Sequence, residues 1–168
     1  MDAVVSRRDV TVAMADLQVS ADPLARLVTY ALGSCLGVAV YDPVVRVGGL
    51  LHVMLPLSEI DVERARANPA LFVDTGVPAL FKACYRLGAV KSRMVVKVAG
   101  GAAAAAAGAP DQFMIGKRNV LTLRKLLWKN GVLVRAQDVG GHQVSRTMAL
   151  SLADGEVTLK VAGTVTTL

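Results

Sequence analysis

A chain of 168 residues with a net charge of +6, 54% hydrophobic but only 4% aromatic, has room for one folded domain whose core is built mainly of Val, Leu and Ala. That balance excludes a disordered chain and suits a soluble α/β or α+β protein. The longest apolar stretch, from Tyr30 to Tyr41, is broken by Gly33, Ser34 and Gly37 and falls short of the roughly twenty residues a membrane helix needs, so no membrane insertion is expected.

The segment from Met1 to Arg8 carries charge with no apolar stretch behind it, and no signal peptide is expected. Residues 10–20 alternate loosely and read as one strand. Residues 27–32 form a second strand candidate that ends at Gly33-Ser34. Residues 35–41 form a third, stopped by the turn signal Asp42-Pro43. A fourth, residues 50–55, is launched from Gly48-Gly49 and stopped by Pro56. Residues 74–87 read as a helix, because Val77, Leu80, Phe81, Cys84 and Leu87 recur at three- and four-residue spacing, with Gly88 as a stop. Residues 94–99 form a buried-looking strand followed by Gly100-Gly101. The alanine run at 102–107 is too short to repay helix nucleation alone and reads as a loop or a short helical turn. Residues 115–130 form the second clear helix, with Val120, Leu123, Leu126 and Leu127 inward and Gly131 as its stop. Strands follow at 132–137, 146–150 and 156–161. Helices separated by clusters of strands, without regular βαβ alternation, favour an α+β fold in which helices pack on sheets, in a single domain covering residues 1–168.

The chemistry is narrowed by scarcity, since the chain has two cysteines and two histidines. Two cysteines make no disulfide framework, and a reducing cytoplasm is the simpler setting. Cys84 lies on the apolar face of its helix and reads as a small buried hydrophobe. Cys35 follows Gly33-Ser34 at a strand–turn–strand junction. It reads either as a core thiol or as a nucleophile at a sheet rim, with adjacent backbone N–H groups free for an oxyanion. His52 stands in an apolar strand, in phase with Leu50 and Met54, either as a core histidine or as the base for a thiol. His142, in Gly140-Gly141-His142-Gln143, is the weaker base and reads mainly as a loop residue. Arg118, Lys125 and Lys129 fall on one outer stripe of the second helix, either a solvated face or a docking surface for an acidic helix.

Other sites lack their patterns. Gly116-Lys117 is followed by Arg118 where a phosphate-binding loop has Ser or Thr, and Gly100-Gly101 lacks dinucleotide-binding spacing. There is no CxxC or HxxxH spacing for zinc, and Ser34 and Ser58 lack a nucleophile-elbow context. No metal or cofactor is expected. The positive charge is spread along the chain with no basic tract interleaved with aromatics, which argues against nucleic acid and leaves an acidic protein partner.

The stretch Leu27-Val28-Thr29-Tyr30-Ala31-Leu32-Gly33-Ser34-Cys35-Leu36-Gly37-Val38 resembles the active-site segment of the CheD chemoreceptor glutamine deamidases. Gly49-Leu50-Leu51-His52-Val53-Met54-Leu55-Pro56 is similar to that family's histidine strand. Val73-Asp74-Thr75, Gly100-Gly101-Ala102, Ile115-Gly116-Lys117-Arg118-Asn119 and Asp138-Val139-Gly140-Gly141 resemble further family motifs in the same order. The alanine run and Ser145-Arg146 depart from the family pattern, away from the matched triad. The resemblance implies a layered α/β/β sandwich and a cysteine-dependent deamidation of glutamines on methyl-accepting chemotaxis receptor helices. In that reading Cys35 is nucleophile, His52 base, Thr29 the residue orienting it, and the backbone around Gly33 and Ser34 part of an oxyanion site. It also implies a CheC-type phosphatase as possible partner. Two other functions fit the same chain: a non-catalytic adaptor for such a phosphatase, and a cysteine amidase or esterase acting on another protein.

Overall fold

The computed structural model describes residues 6–168, so residues 1–5 of the segment read for a signal peptide lie outside it. Among the described residues ten strands form two mixed sheets. The outer sheet runs β1 (Arg8–Thr11), β3 (Ala25–Leu32), β8 (Arg146–Ser151), β9 (Val157–Val161) and β10 (Thr164–Thr167). The middle sheet runs β2 (Asp16–Ser20), β5 (Val47–Val53), β4 (Leu36–Asp42), β6 (Val95–Gly100) and β7 (Val134–Val139). The β1–β3 and β6–β7 pairs are parallel and the others antiparallel.

Two cores separate three layers. In the first, Leu36, Val38, Leu51 and Val53 of the middle sheet pack against Val77, Leu80 and Cys84 of α2 (Val73–Arg86) and Leu123 and Leu127 of α3 (Ile115–Lys129). In the second, Ala39, Tyr41, Leu50 and Ala99 on the other face of that sheet meet Leu27, Met148, Leu150 and Leu159 of the outer sheet. The middle sheet is therefore covered on both sides, and β4 and β5 are buried along their whole length. This is an α+β sandwich of helices, sheet and sheet.

The two long helices stand where the apolar spacing places them, and Gly88 (φ 100°) and Gly131 (φ 67°) follow their ends. The short helix α1 (Val62–Ala67) was not expected from the sequence. The alanine run is a loop, not a helical turn, with Ala103 bridged to His142.

Three strand expectations need correction. Residues 10–20 are not one strand: β1 and β2 belong to different sheets, and the chain turns between them at Met14-Ala15, with Ala15 left-handed (φ 53°). Strand alternation reports a covered face but not which sheet covers it. Gly48-Gly49 does not launch a strand but lies inside β5. A Cβ on Gly49 would come 2.7 Å from Leu80 Cδ1 and 2.8 Å from Val19 Cγ1, so glycine here admits helix α2 against the sheet. Finally, β10 was missed. Ala162 (φ 48°) and Gly163 (φ 83°) make the two-residue left-handed turn that folds this exposed edge strand onto β9.

Candidate active site

Thr29 and His52 come from different sheets and meet between them. Thr29 lies on β3 and His52 on β5, both fully buried, with Thr29 Oγ1 2.7 Å from His52 Nδ1. The same hydroxyl lies 2.7 Å from the Val12 carbonyl oxygen. A hydroxyl has one proton, and a carbonyl can only accept. The threonine therefore donates to Val12 and accepts from Nδ1–H, which fixes the imidazole tautomer. The lone pair is left on Nε2, a buried atom with no hydrogen-bond partner.

Cys35 stands one residue before β4. The pairs Leu36–Val53 and Gly37–His52 set the register, so Cys35 falls diagonally across from His52 on the face turned toward the outer sheet. Its packing with Ala39, Tyr41 and Leu50 on that face agrees. Gly37, directly opposite His52, has no side chain, and Met148 and Leu32 fill the space a Cβ would need (2.7 and 2.8 Å). Cys35 as a residue is 9% exposed while Thr29 and His52 are wholly enclosed, so Cys35 is the least enclosed member of this group.

Burial pushes the Cys35 thiol above its ordinary value, partly opposed by its own backbone N–H, and burial pulls the His52 imidazolium below its ordinary value. The resting pair is thus neutral thiol and neutral imidazole rather than an ion pair. Because His52 resists protonation, the acid limb of the rate–pH profile is expected below pH 6.5, the ordinary histidine value. The same shift means that stability falls as pH drops through and below that value, since only the unfolded chain then takes up the proton. A kcat/KM profile with its acid limb above 6.5 would contradict this assignment.

The turn carrying Cys35 is held from several sides. The β3–β8 register shifts between Thr29 and Leu32, with Ala31 left-handed (φ 57°) and the Gly33 N–H donating to its carbonyl at 3.0 Å. The Gly33 carbonyl accepts from the Ala102 N–H and the Cys35 carbonyl from the Gly101 N–H, each at 2.9 Å. Among the described residues the Ser34 and Cys35 N–H groups donate to no backbone carbonyl. Gly100 (φ 112°) packs so closely that a Cβ there would run into the Cys35 carbonyl oxygen.

Two buried polar residues at the site were given no role by the sequence reading, although both fall within or beside recognised motifs. Asn119 of α3 donates from Nδ2 to the carbonyls of Ser34 and Met54, each at 3.0 Å. Arg146 of β8 holds Asp138 Oδ1 at 3.0 Å and the carbonyls of Gly140 and Gly100 at 2.9 and 3.4 Å. It thereby ties the Gly100 loop beside Cys35. The remaining candidates lie elsewhere. Cys84 is enclosed between α2 and the middle sheet, its thiol pushed up to about 12 by burial. His142 is exposed in its loop. Arg118, Lys125 and Lys129 are exposed along the outer face of α3. Arg118 adjoins Asn119, and Lys129 lies about 16 Å further along the helix axis.

A thiol and a threonine-oriented imidazole on one face of a buried sheet, with two N–H groups next to the cysteine that donate to no backbone carbonyl, have the makeup of a cysteine-dependent amidohydrolase site. Residues 54–161 match the family model described as CheD chemotactic sensory transduction. A protein of Syntrophus aciditrophicus named "Probable chemoreceptor glutamine deamidase CheD 1" is 50% identical over 155 residues, covering 92% of this chain and 95% of that protein. The "Probable chemoreceptor glutamine deamidase CheD" of Solibacter usitatus is 46% identical, covering 92% and 89%. The protein of the same name in Pyrococcus abyssi is 44% identical, covering 79% of each chain. The chain belongs to the CheD family.

Proposed function

We propose that this protein hydrolyses the side-chain carboxamide of selected glutamines on chemoreceptors, giving glutamate and ammonia. The observation that carries the reading is the Val12–Thr29–His52 relay, which leaves an unprotonated Nε2 on the face shared with Cys35. His52 Nε2 takes the thiol proton as Sγ attacks the carboxamide carbon. The oxyanion receives the Ser34 and Cys35 N–H groups. Collapse of the tetrahedral adduct passes the proton from Nε2 to the departing nitrogen, releasing ammonia and leaving a thioester. His52 then deprotonates water, which cleaves the thioester and returns the proton to sulfur. The thiol and imidazole are not hydrogen-bonded in the resting structure, and catalytic hydrogen bonds of this kind tighten in the substrate complex.

The stripe on α3 supports a helical, acidic substrate. Arg118, Lys125 and Lys129 flank exposed Leu121 and Trp128 on one helix face, and α3 contains no acidic residue. Leucine and tryptophan would grip an apolar seam while the cations meet its acidic flanks. The setting is cytoplasmic, where both free thiols stay reduced, and a CheC-type phosphatase is the second protein expected to bind. Among the described residues no helix is long and apolar enough to cross a membrane.

Incubation with receptor fragments and mass-spectrometric mapping of glutamine-to-glutamate changes tests the reading. Sites gained with wild type and lost with Cys35→Ala are expected. Identical maps from the two proteins would sink it.

A further inference from the structure

We infer that Asn119 is a positioning residue that aims the Cys35 N–H at the developing oxyanion. The inference rests on the thiol–imidazole reading above and concerns a residue on a separate element.

Asn119 is fully buried near the start of α3, and its one amide nitrogen spans two segments that the sheet ladder leaves unpaired. The β4–β5 ladder ends at Leu36–Val53. Just beyond it lie Ser34 on one side and Met54 on the other, and their carbonyls share the Asn119 Nδ2 protons at 3.0 Å each. Two carbonyl acceptors fix which end of the amide faces them, because only the NH₂ end can donate to both.

The consequence for Cys35 is geometric. The Ser34 carbonyl and the Cys35 N–H belong to one peptide unit, and no peptide bond among the described residues is cis. In a planar trans peptide the C=O and N–H point in opposite directions. Pinning the Ser34 oxygen toward the interior amide therefore turns the Cys35 N–H away from α3. The neighbouring units are pinned in the same manner, Gly33 by Ala102 and Cys35 by Gly101. Asn119 is the only one of the three clamps made by a side chain, so it is the one that substitution can remove. The second bond, to Met54, holds the strand end two residues past His52 and keeps the two catalytic segments in register.

Asn119→Ala and Asn119→Ser are compared with wild type and Cys35→Ala. Receptor-fragment kinetics, thermal unfolding and iodoacetamide labelling of the Cys35 peptide are read on each. Alkylation displaces iodide and forms no oxyanion, so it reports the thiol without the N–H. The expected result for Asn119→Ala is a fall in kcat of about 10²-fold with KM within about twofold, the pattern of a lost transition-state donor. Cys35 labelling and its pH dependence stay near wild type, and Asn119→Ser, which keeps one donor, recovers part of kcat. Wild-type kcat in a folded Asn119 variant overturns the inference. So does loss of labelling in step with loss of kcat, or failure of both variants to fold, since each marks a structural role. Should Cys35→Ala remain active, the catalytic reading itself fails, and that outcome is distinct from all of these.

Discussion

Cys35→Ala is expected to lower deamidation by about 10⁴-fold or more, His52→Ala by a comparable factor, and the double variant scarcely further. On the proposed mechanism the thiol and the imidazole act as one unit, so removing either leaves the other without a task. What survives is substrate binding and the two backbone donors beside residue 35. The comparison is informative because folding should be little disturbed at Cys35. Its side chain packs in the inter-sheet core, and alanine removes a single heavy atom there. His52→Ala is more costly, since it hollows a fully enclosed site and strands the Thr29 hydroxyl, so thermal unfolding should accompany its kinetics. Purely additive losses, with the double variant falling by the product of the single factors, would show that the two residues do not share a step.

Thr29→Val carries the second large effect. Valine keeps the β-branched shape in β3 but removes the hydroxyl that joins Val12 to His52. Two buried polar groups then lose their partner, the Val12 carbonyl and the Nδ1–H, at about 1–3 kcal/mol for each unsatisfied group. The imidazole is also free to exchange tautomers, and a ring with its proton on Nε2 cannot accept one from the thiol. A fall in kcat of about 10²-fold is expected, within the range for general acid–base groups, while KM stays near wild type. Thr29→Ser, which restores the hydroxyl, should recover most of that loss. If Thr29→Val destabilises the fold but leaves kcat untouched, the hydroxyl is a structural tie between sheets and not the group that orients the base.

On the proposed reading, the enclosure also sets the resting charge state of the pair. A neutral thiol beside a neutral imidazole costs little to bury, whereas a standing thiolate–imidazolium pair in this apolar layer would have to repay desolvation of both charges. Burial acts on the two groups in opposite directions, raising one and lowering the other, and both shifts favour the neutral form.

Residue pattern by itself determined the two long helices, whose apolar faces recur with the helix period in α2 and α3, and most of the interior strands. It left Cys35 and His52 as open candidates, and the resemblance to the CheD family then singled them out together with Thr29. It put Cys84 on the packed face of a helix, where the structure has it. Sheet membership and long-range clamps were decided only by tertiary structure. Alternation in residues 10–20 marks a covered face, yet hydrogen-bond pairing sends β1 to one sheet and β2 to the other. Gly49 signals a turn locally but serves the approach of α2, a neighbour from a distant part of the chain. Asn119 reaches partners 85 and 65 residues away, and no local spacing reports such a bond. The physical reason is the same in each case. Propensity and periodicity act over a turn or a strand, whereas pairing partners and buried polar contacts are chosen by which distant surfaces close the core together.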